Sequence, residues 1–277
     1  MPADSAETTV RARCYLPDEP DAQSLQDDPK ARLVHLIRHG EATHQLAAAA
    51  AKARGEVCRC DEENSAAGPG ENRCPYLNDA LIDPPLTEKG RRSVTLEAIE
   101  CVADVVYVSP MRRSLETALR AFAPNLAAAA GLGASPRAVI QADELLRPRI
   151  GAHRQSRRSP RRVLEHQFPA VDFSRVADDE DRFWAPVTEP RAALDARARL
   201  FLRRILTGPE RRIGIITHFT TLLTWLAPAA DPWIIGTNPE RPKKDRPYLD
   251  PSPRAAEVLV YQPIPPGGLR TFIAVPE

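Results

Sequence analysis

A sheet sandwiched between helices, the three-layer α/β/α arrangement, is the fold class this sequence predicts. Three observations carry it. Short apolar runs alternate with stretches of helical period. Hydrophobic residues make up 43% of the 277 positions, enough to bury a sizeable core. Reactive side chains recur immediately after strand candidates, where open α/β sheets gather their ligands.

Residues 1–30, rich in Asp, Glu, Pro, Ala and Gln without a period, read as a disordered N-terminal tail. The domain, residues 31–277, then opens on Leu33-Val34-His35-Leu36-Ile37, an apolar run of strand length. Gly40 follows, and the alanine-rich stretch Ala42–Ala53 predicts a helix. Residues 55–79 hold Gly, Pro, Asn, Glu and three cysteines with no period, and read as a long surface insertion. Val102–Val108 is the next strand. Ser109 and Pro110 suit the N-cap and first turn of a helix whose buried stripe is Leu115, Ala118, Leu119 and Phe122. Arg137–Ala142 reads as a strand. Glu189–Leu206 reads as a long helix with Leu194, Ala198, Phe201 and Ile205 on one face. Ile213–Thr217 is a strand running into a helix over Phe219–Leu226. Glu257–Tyr261 and Thr271–Val275 are late strands, preceded by a proline-rich, charged loop from Asn238 to Pro253.

The formal net charge of +1 gives no general attraction to nucleic acid or to a membrane surface. No apolar run approaches bilayer length, and the first residues lack the apolar core of a secretory signal. The expectation is a soluble, cytoplasmic protein with no membrane or nucleic-acid partner. An odd count of five cysteines, Cys14, Cys58, Cys60, Cys74 and Cys101, argues against a disulfide framework. Cys58, Cys60 and Cys74 lack the second close pair of a structural zinc site, so reduced loop thiols are expected, with no metal and no cofactor.

Three strand ends carry chemistry: Arg38-His39-Gly40-Glu41, Ser109-Pro110 with Arg112 and Arg113, and Thr217-His218. Each alone reads as ordinary surface or core chemistry. Together, in one sheet, they describe an anion-binding catalytic site. Phosphoryl transfer needs an aligned nucleophile and fixed positive charge around the equatorial oxygens, and a neutral imidazole, His39, can be that nucleophile. Gly40 would let a phosphate approach closely. Arg38 and Arg113 offer planar forks of donors, and His218 would add a third charged donor as an imidazolium. The cations should keep His39 neutral. A basic run, Arg147, Arg149, His153, Arg154, Arg157, Arg158, Arg161 and Arg162, admits three readings: a solvated face, a collar for multiply charged substrates, or a nucleic-acid surface.

Taken with Thr117, these segments resemble the histidine phosphatase superfamily, also called phosphoglycerate-mutase-like. Asp83-Pro84-Pro85-Leu86-Thr87-Glu88-Lys89-Gly90 is similar to its LTxxG element. Gly151, His153, Arg158, Ser159, the run Phe168–Ser174, Asp179-Glu180-Asp181 and Trp184 resemble its plant and fungal subgroup. The resemblance implies a phosphoglycerate-mutase-like fold and a metal-independent phosphatase acting on a small phosphorylated substrate through a phosphohistidine. It implies His39 and His218 as catalytic residues, with Arg38, Arg113, Gly40 and Glu41 around the phosphate. Arg113 rather than Arg112 matches the motif, four residues after Ser109. Two positions depart from the pattern. The subgroup's proton-donating glutamate is replaced by Pro148, leaving Glu144, or Asp143 beside it, as the candidate proton donor, and Phe219-Thr220 stand where small residues are usual. The alternatives are a pseudoenzyme that binds a phosphorylated ligand and a phosphoglycerate-type mutase.

Overall fold

The computed structural model describes residues 12–15, 28–56, 74–94, 103–122, 138–225 and 269–276. Its strands are β1 (Ala12–Tyr15), β2 (Arg32–Arg38), β3 (Val105–Val108), β4 (Val139–Asp143), β5 (Val171–Arg175), β6 (Arg212–Thr217) and β7 (Leu269–Pro276). Its α-helices are α1 (Thr43–Ala53), α2 (Glu88–Ser93), α3 (Arg112–Ala121), α4 (Arg161–Gln167), α5 (Arg191–Thr207) and α6 (Phe219–Trp225). All the strands join one sheet in the order β1-β7-β2-β6-β3-β4-β5. From β2 to β5 neighbours run parallel, whereas β7 is antiparallel to β2 and β1 to β7.

Alternation along the strands builds a core on each face. Val34, Leu36, Val105, Tyr107, Ile213 and Ile215 meet Ala198, Phe201, Leu202 and Ile205 of α5 and Leu222 of α6. Ile37, Val106, Val108, Ile140 and Ile216 point the other way, against Leu115, Ala118 and Ala121 of α3 and Leu164 of α4. The period of two in the strands and the i, i+3, i+4, i+7 stripe of α5 are thus two halves of one interface. Tyr107 and Phe201 meet edge to face at 5.4 Å, a favoured aromatic geometry.

The topology fixes where chemistry can occur. The chain steps from β2 over a vacant lane to β3, continues outward to β4 and β5, then returns to fill the lane with β6. Three consecutive strands, β2, β6 and β3, therefore end side by side at the switch point. Arg38 pairs with Thr217 and Val108 with Ile216. The ladder runs one step further, through His39 N–H to Thr217 O and Ser109 N–H to Ile216 O. His39, Ser109 and His218 leave the sheet at one level.

Several boundaries differ from the sequence reading. The helix after β3 begins at Arg112, not at Ser109-Pro110. Its first amide, Arg112 N–H, is capped from a distance by Asp83 Oδ1 at 2.8 Å. Within the expected disordered tail, Ala12–Tyr15 is an edge strand on β7; the tail's residues 1–11 and 16–27 lie outside the described residues. So do residues 57–73 of the insertion, the Asn238–Pro253 loop and the Glu257–Tyr261 strand. Like β1, strand β5 and helix α4 have no counterpart in the sequence reading, and both lie within segments dense in charge. Among the described residues no helix is long and apolar enough to cross a membrane.

The loop after β2 is pressed onto α2. A Cβ on Gly40 would lie 2.8 Å from Gly90 O, and one on Gly90 would overlap the Glu41 carbonyl. Only a missing side chain on both lets the backbones come this close. Gly90→Ala is expected to lower the free energy of unfolding by about 2–3 kcal/mol, the scale of overpacking against atoms that cannot move aside. The shift of the denaturant midpoint measures it, and an unshifted midpoint contradicts this packing.

Candidate active site

His39 stands one residue beyond β2 and is 4% exposed. Its Nδ1 lies 2.8 Å from its neighbour's carbonyl, Gly40 O. A carbonyl only accepts, so Nδ1 carries the proton and Nε2 is left with its lone pair. That lone pair faces Arg113, whose Nε donates to it at 3.3 Å. Burial comes first, then the Arg113 charge, in holding the His39 pKa well below the ordinary histidine value; the Gly40 bond opposes them.

Arg113 is the hub. It sits in the first turn of α3, is 2% exposed, and also donates to Gln155 O at 3.0 Å and to His218 Nδ1 at 3.2 Å. A guanidinium has no acceptor, so His218 Nδ1 must accept and Nε2 holds the proton, which goes to Ser109 Oγ at 2.8 Å. Burial pushes the Arg113 pKa down to about 10, with Asp83 opposing and Arg147 adding to the shift. Thr117 Oγ1, one turn along, accepts from Gly40 N–H at 3.1 Å and donates to Arg113 O at 2.8 Å, tying α3 to the His39 loop. Asp83 caps α3 with one oxygen and accepts from Ser159 N–H at 3.0 Å with the other. It does so from a left-handed backbone, φ 44°, a conformation aspartate tolerates better than most residues.

Of the residues expected from sequence, Arg38, His39, Arg113 and His218 line one cavity of about 310 Å³. The Arg38 guanidinium lies 4.9 Å over the Phe219 ring, so this bulky ring supports a cation at the pocket's edge. Three of the expected residues do not line the cavity. Gly40 faces Gly90, Val94 and Leu86 rather than the cavity. Glu41 turns away too, accepting from Thr87 Oγ1 at 2.8 Å and pairing with Lys89 at 3.3 Å. Glu144 is bound to Arg158 at 2.9 Å and Arg147 at 3.4 Å and does not line the cavity, whereas Pro148 does. His218, expected as an imidazolium, is held neutral: burial and then Arg113 keep its pKa well below the ordinary value.

Most of the basic run is structural. Arg147 makes a two-pronged ion pair with Asp181, 2.6 Å on each side. Arg158 spans Glu144 and the carbonyls of Ser159, Asp178, Asp179 and Glu180. Arg154 pairs with Asp79 at 2.7 Å and, with Arg157, covers the Trp184 ring. Arg162 pairs with Asp179. Only Arg149 and His153 of the run reach the cavity. Arg197 clamps the same segment from α5, donating to the carbonyls of Leu145, Arg147 and Pro148.

Several cavity residues have no motif to mark them in the sequence, His44 and Tyr76 among them. His44 follows His39 by five positions, in the first turn of α1, and merges there with an alanine-rich helix. Tyr76 lies at the edge of the insertion. The buried thiol of Cys74 lies 3.8 Å from His153 Nε2; Cys58 and Cys60 are outside the described residues.

No family model matches the chain. A phosphoglycerate mutase-like protein of Arabidopsis thaliana is 30% identical over 218 residues, spanning 68% of this chain and 71% of that relative. Phosphoglycerate mutase-like protein 1 of the same plant is 27% identical over 216 residues, spanning 68% of each. Among solved structures, the alpha-ribazole phosphatase from Shigella flexneri shares 16% identity at a TM-score of 0.46, over 86% of this chain and 89% of that one. The ecdysone phosphate phosphatase from Bombix mori, in complex with tungstate, shares 15% at a TM-score of 0.42, over 87% and 88%.

The buried imidazoles set a stability window. Unfolded histidine titrates near 6.5, whereas burial lowers His35 to about 4 and His44, with Arg113 and Arg38, to about 2. Below pH 6.5 the unfolded chain takes up protons that the folded chain refuses, so stability falls as pH falls, by up to about 1.4 kcal/mol per unit for each group. The melting temperature should drop steadily from pH 7 to pH 5. A flat profile over that range contradicts neutral burial.

Proposed function

The chain belongs to the phosphoglycerate-mutase-like family of the histidine phosphatase superfamily, and from that premise we propose that it is a metal-independent phosphatase, with its site on one domain over 31–277, acting on a small phosphorylated substrate. The observation that carries this reading is the tautomer of His39. The bond to Gly40 O holds the proton on Nδ1 and presents the Nε2 lone pair to a cationic cavity. Such a nitrogen is a nucleophile at neutral pH without a separate base.

In the proposed reaction the substrate's phosphoryl oxygens take the Arg113 donors now turned to the two imidazoles, with Arg38 closing the other side. The Nε2 lone pair forms a bond to phosphorus as the bond to the leaving oxygen breaks, and that oxygen departs with the electron pair. The phosphohistidine keeps its Nδ1 proton on Gly40 O. Water then attacks phosphorus, the P–N bond breaks, and phosphate leaves. His218, neutral beside Arg113, donates through Nε2 to Ser109, and the dianion's charge would favour its protonation.

The second reading, a pseudoenzyme that holds a phosphorylated ligand, is favoured by Glu144 being tied to two arginines and by Pro148 at the cavity wall. Phosphate release separates the two. His39→Ala should abolish release from an aryl phosphate with folding retained, and full activity in that variant overturns the proposal. Arg113→Gln should cost on the order of 10²–10³ in kcat, the worth of one preorganised donor to developing charge. The pH profile follows from sign: only neutral His39 attacks and its pKa lies well below 6.5, so activity should persist at pH 5.5 instead of falling by half near 6.5.

A further inference from the structure

One wall of the cavity is a run of rings leading away from the nucleophile. The His44 ring lies 6.1 Å from His39, Tyr76 a further 6.0 Å from His44, and His153 5.0 Å from Tyr76, centroid to centroid. Pro148 and Ile150 add apolar surface. Successive planes are tilted by 51° to 53°, and the centroid separations fall in the range over which aromatic groups attract one another. None of the three rings is required to hold a phosphoryl group, for which Arg38, Arg113, His39 and His218 suffice.

Two further observations narrow what this wall receives. Among the described residues lining the cavity there is no aspartate or glutamate. An alkoxide leaving group depends on a proton from a general acid, a contribution of about 10²–10⁴-fold, which no carboxyl group among those residues supplies. A phenolate, whose conjugate acid has a pKa near 10, departs as the anion. Independently, His44 is 8% exposed and its Nδ1 has no hydrogen-bond partner among the described residues. A buried polar atom of that kind calls for one, and a ligand reaching this wall can supply it.

We infer that the cavity is a site for an aryl phosphate monoester, with the aromatic leaving group seated against His44, Tyr76 and His153. The inference rests on the phosphatase reading for the group held at His39. Its step balances without a protein acid: the aryl C–O bond stays intact, the P–O bond breaks, the phenolate oxygen keeps the electron pair, and water protonates it after release.

Binding and turnover are tested separately on the full chain. Phenylphosphonate and cyclohexylphosphonate, which cannot be hydrolysed and differ in the ring alone, are titrated by calorimetry beside inorganic phosphate. The aryl compound should bind about three- to tenfold tighter, the worth of one aromatic pair, and Tyr76→Leu should bring the ratio of the two constants to about one. Phenyl phosphate should be hydrolysed at least about 100-fold faster than cyclohexyl phosphate. Equal affinities, a ratio that Tyr76→Leu does not move, or equal rates for the two esters overturn the inference. Tight phosphate binding with no release from phenyl phosphate overturns the phosphatase reading instead, while the phosphonate ratio still decides what the wall receives.

Discussion

A single guanidinium, that of Arg113, organises this site. It is almost wholly buried and donates to His39, to His218 and to one backbone carbonyl. A cation so placed costs desolvation, and the cost is borne only where geometry and counter-charge are both in place. The counter-charge is Asp83, whose two oxygens accept from the first amide of α3 and from Ser159 N–H. The same carboxylate therefore stabilises the helix start, the cation in its first turn, and the loop bordering the cavity. Both imidazoles answer to this cation. Each must offer it a lone pair, which fixes both tautomers and holds both rings neutral.

The sheet makes that hub possible. Because β6 fills the lane between β2 and β3, the ends carrying His39, His218 and Ser109 are adjacent and in step. A slip of one residue in β6 would turn His218 to the opposite face. Register is held by apolar alternation on both faces, so the geometry of the chemistry depends on ordinary core packing against α3 and α5.

Much of this is legible in the amino-acid sequence. The strand ends can be read because apolar runs stop abruptly at charged residues, and Arg38, His39, Arg113 and His218 do share one cavity. The misreadings have physical causes. Proximity in sequence puts Glu41 and Glu144 near the site, yet a carboxylate goes where donors are, and Thr87, Lys89, Arg147 and Arg158 claim them. Gly40 suggests space for phosphate, but its missing side chain serves the contact with Gly90. The basic run looks like a face because its partners, Asp181, Glu144, Asp79 and Asp179, are distant or scattered in the chain. Charge hides β5 and α4, which have few apolar positions to set a period. His44 and Tyr76 carry no motif, and only the folded chain brings them to His39.

The distribution of carboxylates gives the cavity its character. Asp83, Glu144, Asp181 and Glu189 stand outside its lining, and each is engaged by an arginine or by backbone amides. They neutralise the buried arginines that shape the loops while placing no carboxylate among the described residues that line the cavity. A dianion entering there meets Arg38 and Arg113 with no acidic competitor among the described lining residues, which favours capture. The same segregation leaves no carboxyl group among the described lining residues to protonate a leaving group. On the phosphatase reading a glutamate at position 148 would supply a proton donor, but it would also set a negative charge in the cavity that Arg38 and Arg113 line. Proline there avoids that charge, and the wall beyond it of His44, Tyr76 and His153 suits a leaving group whose anion is stable enough to go unaided.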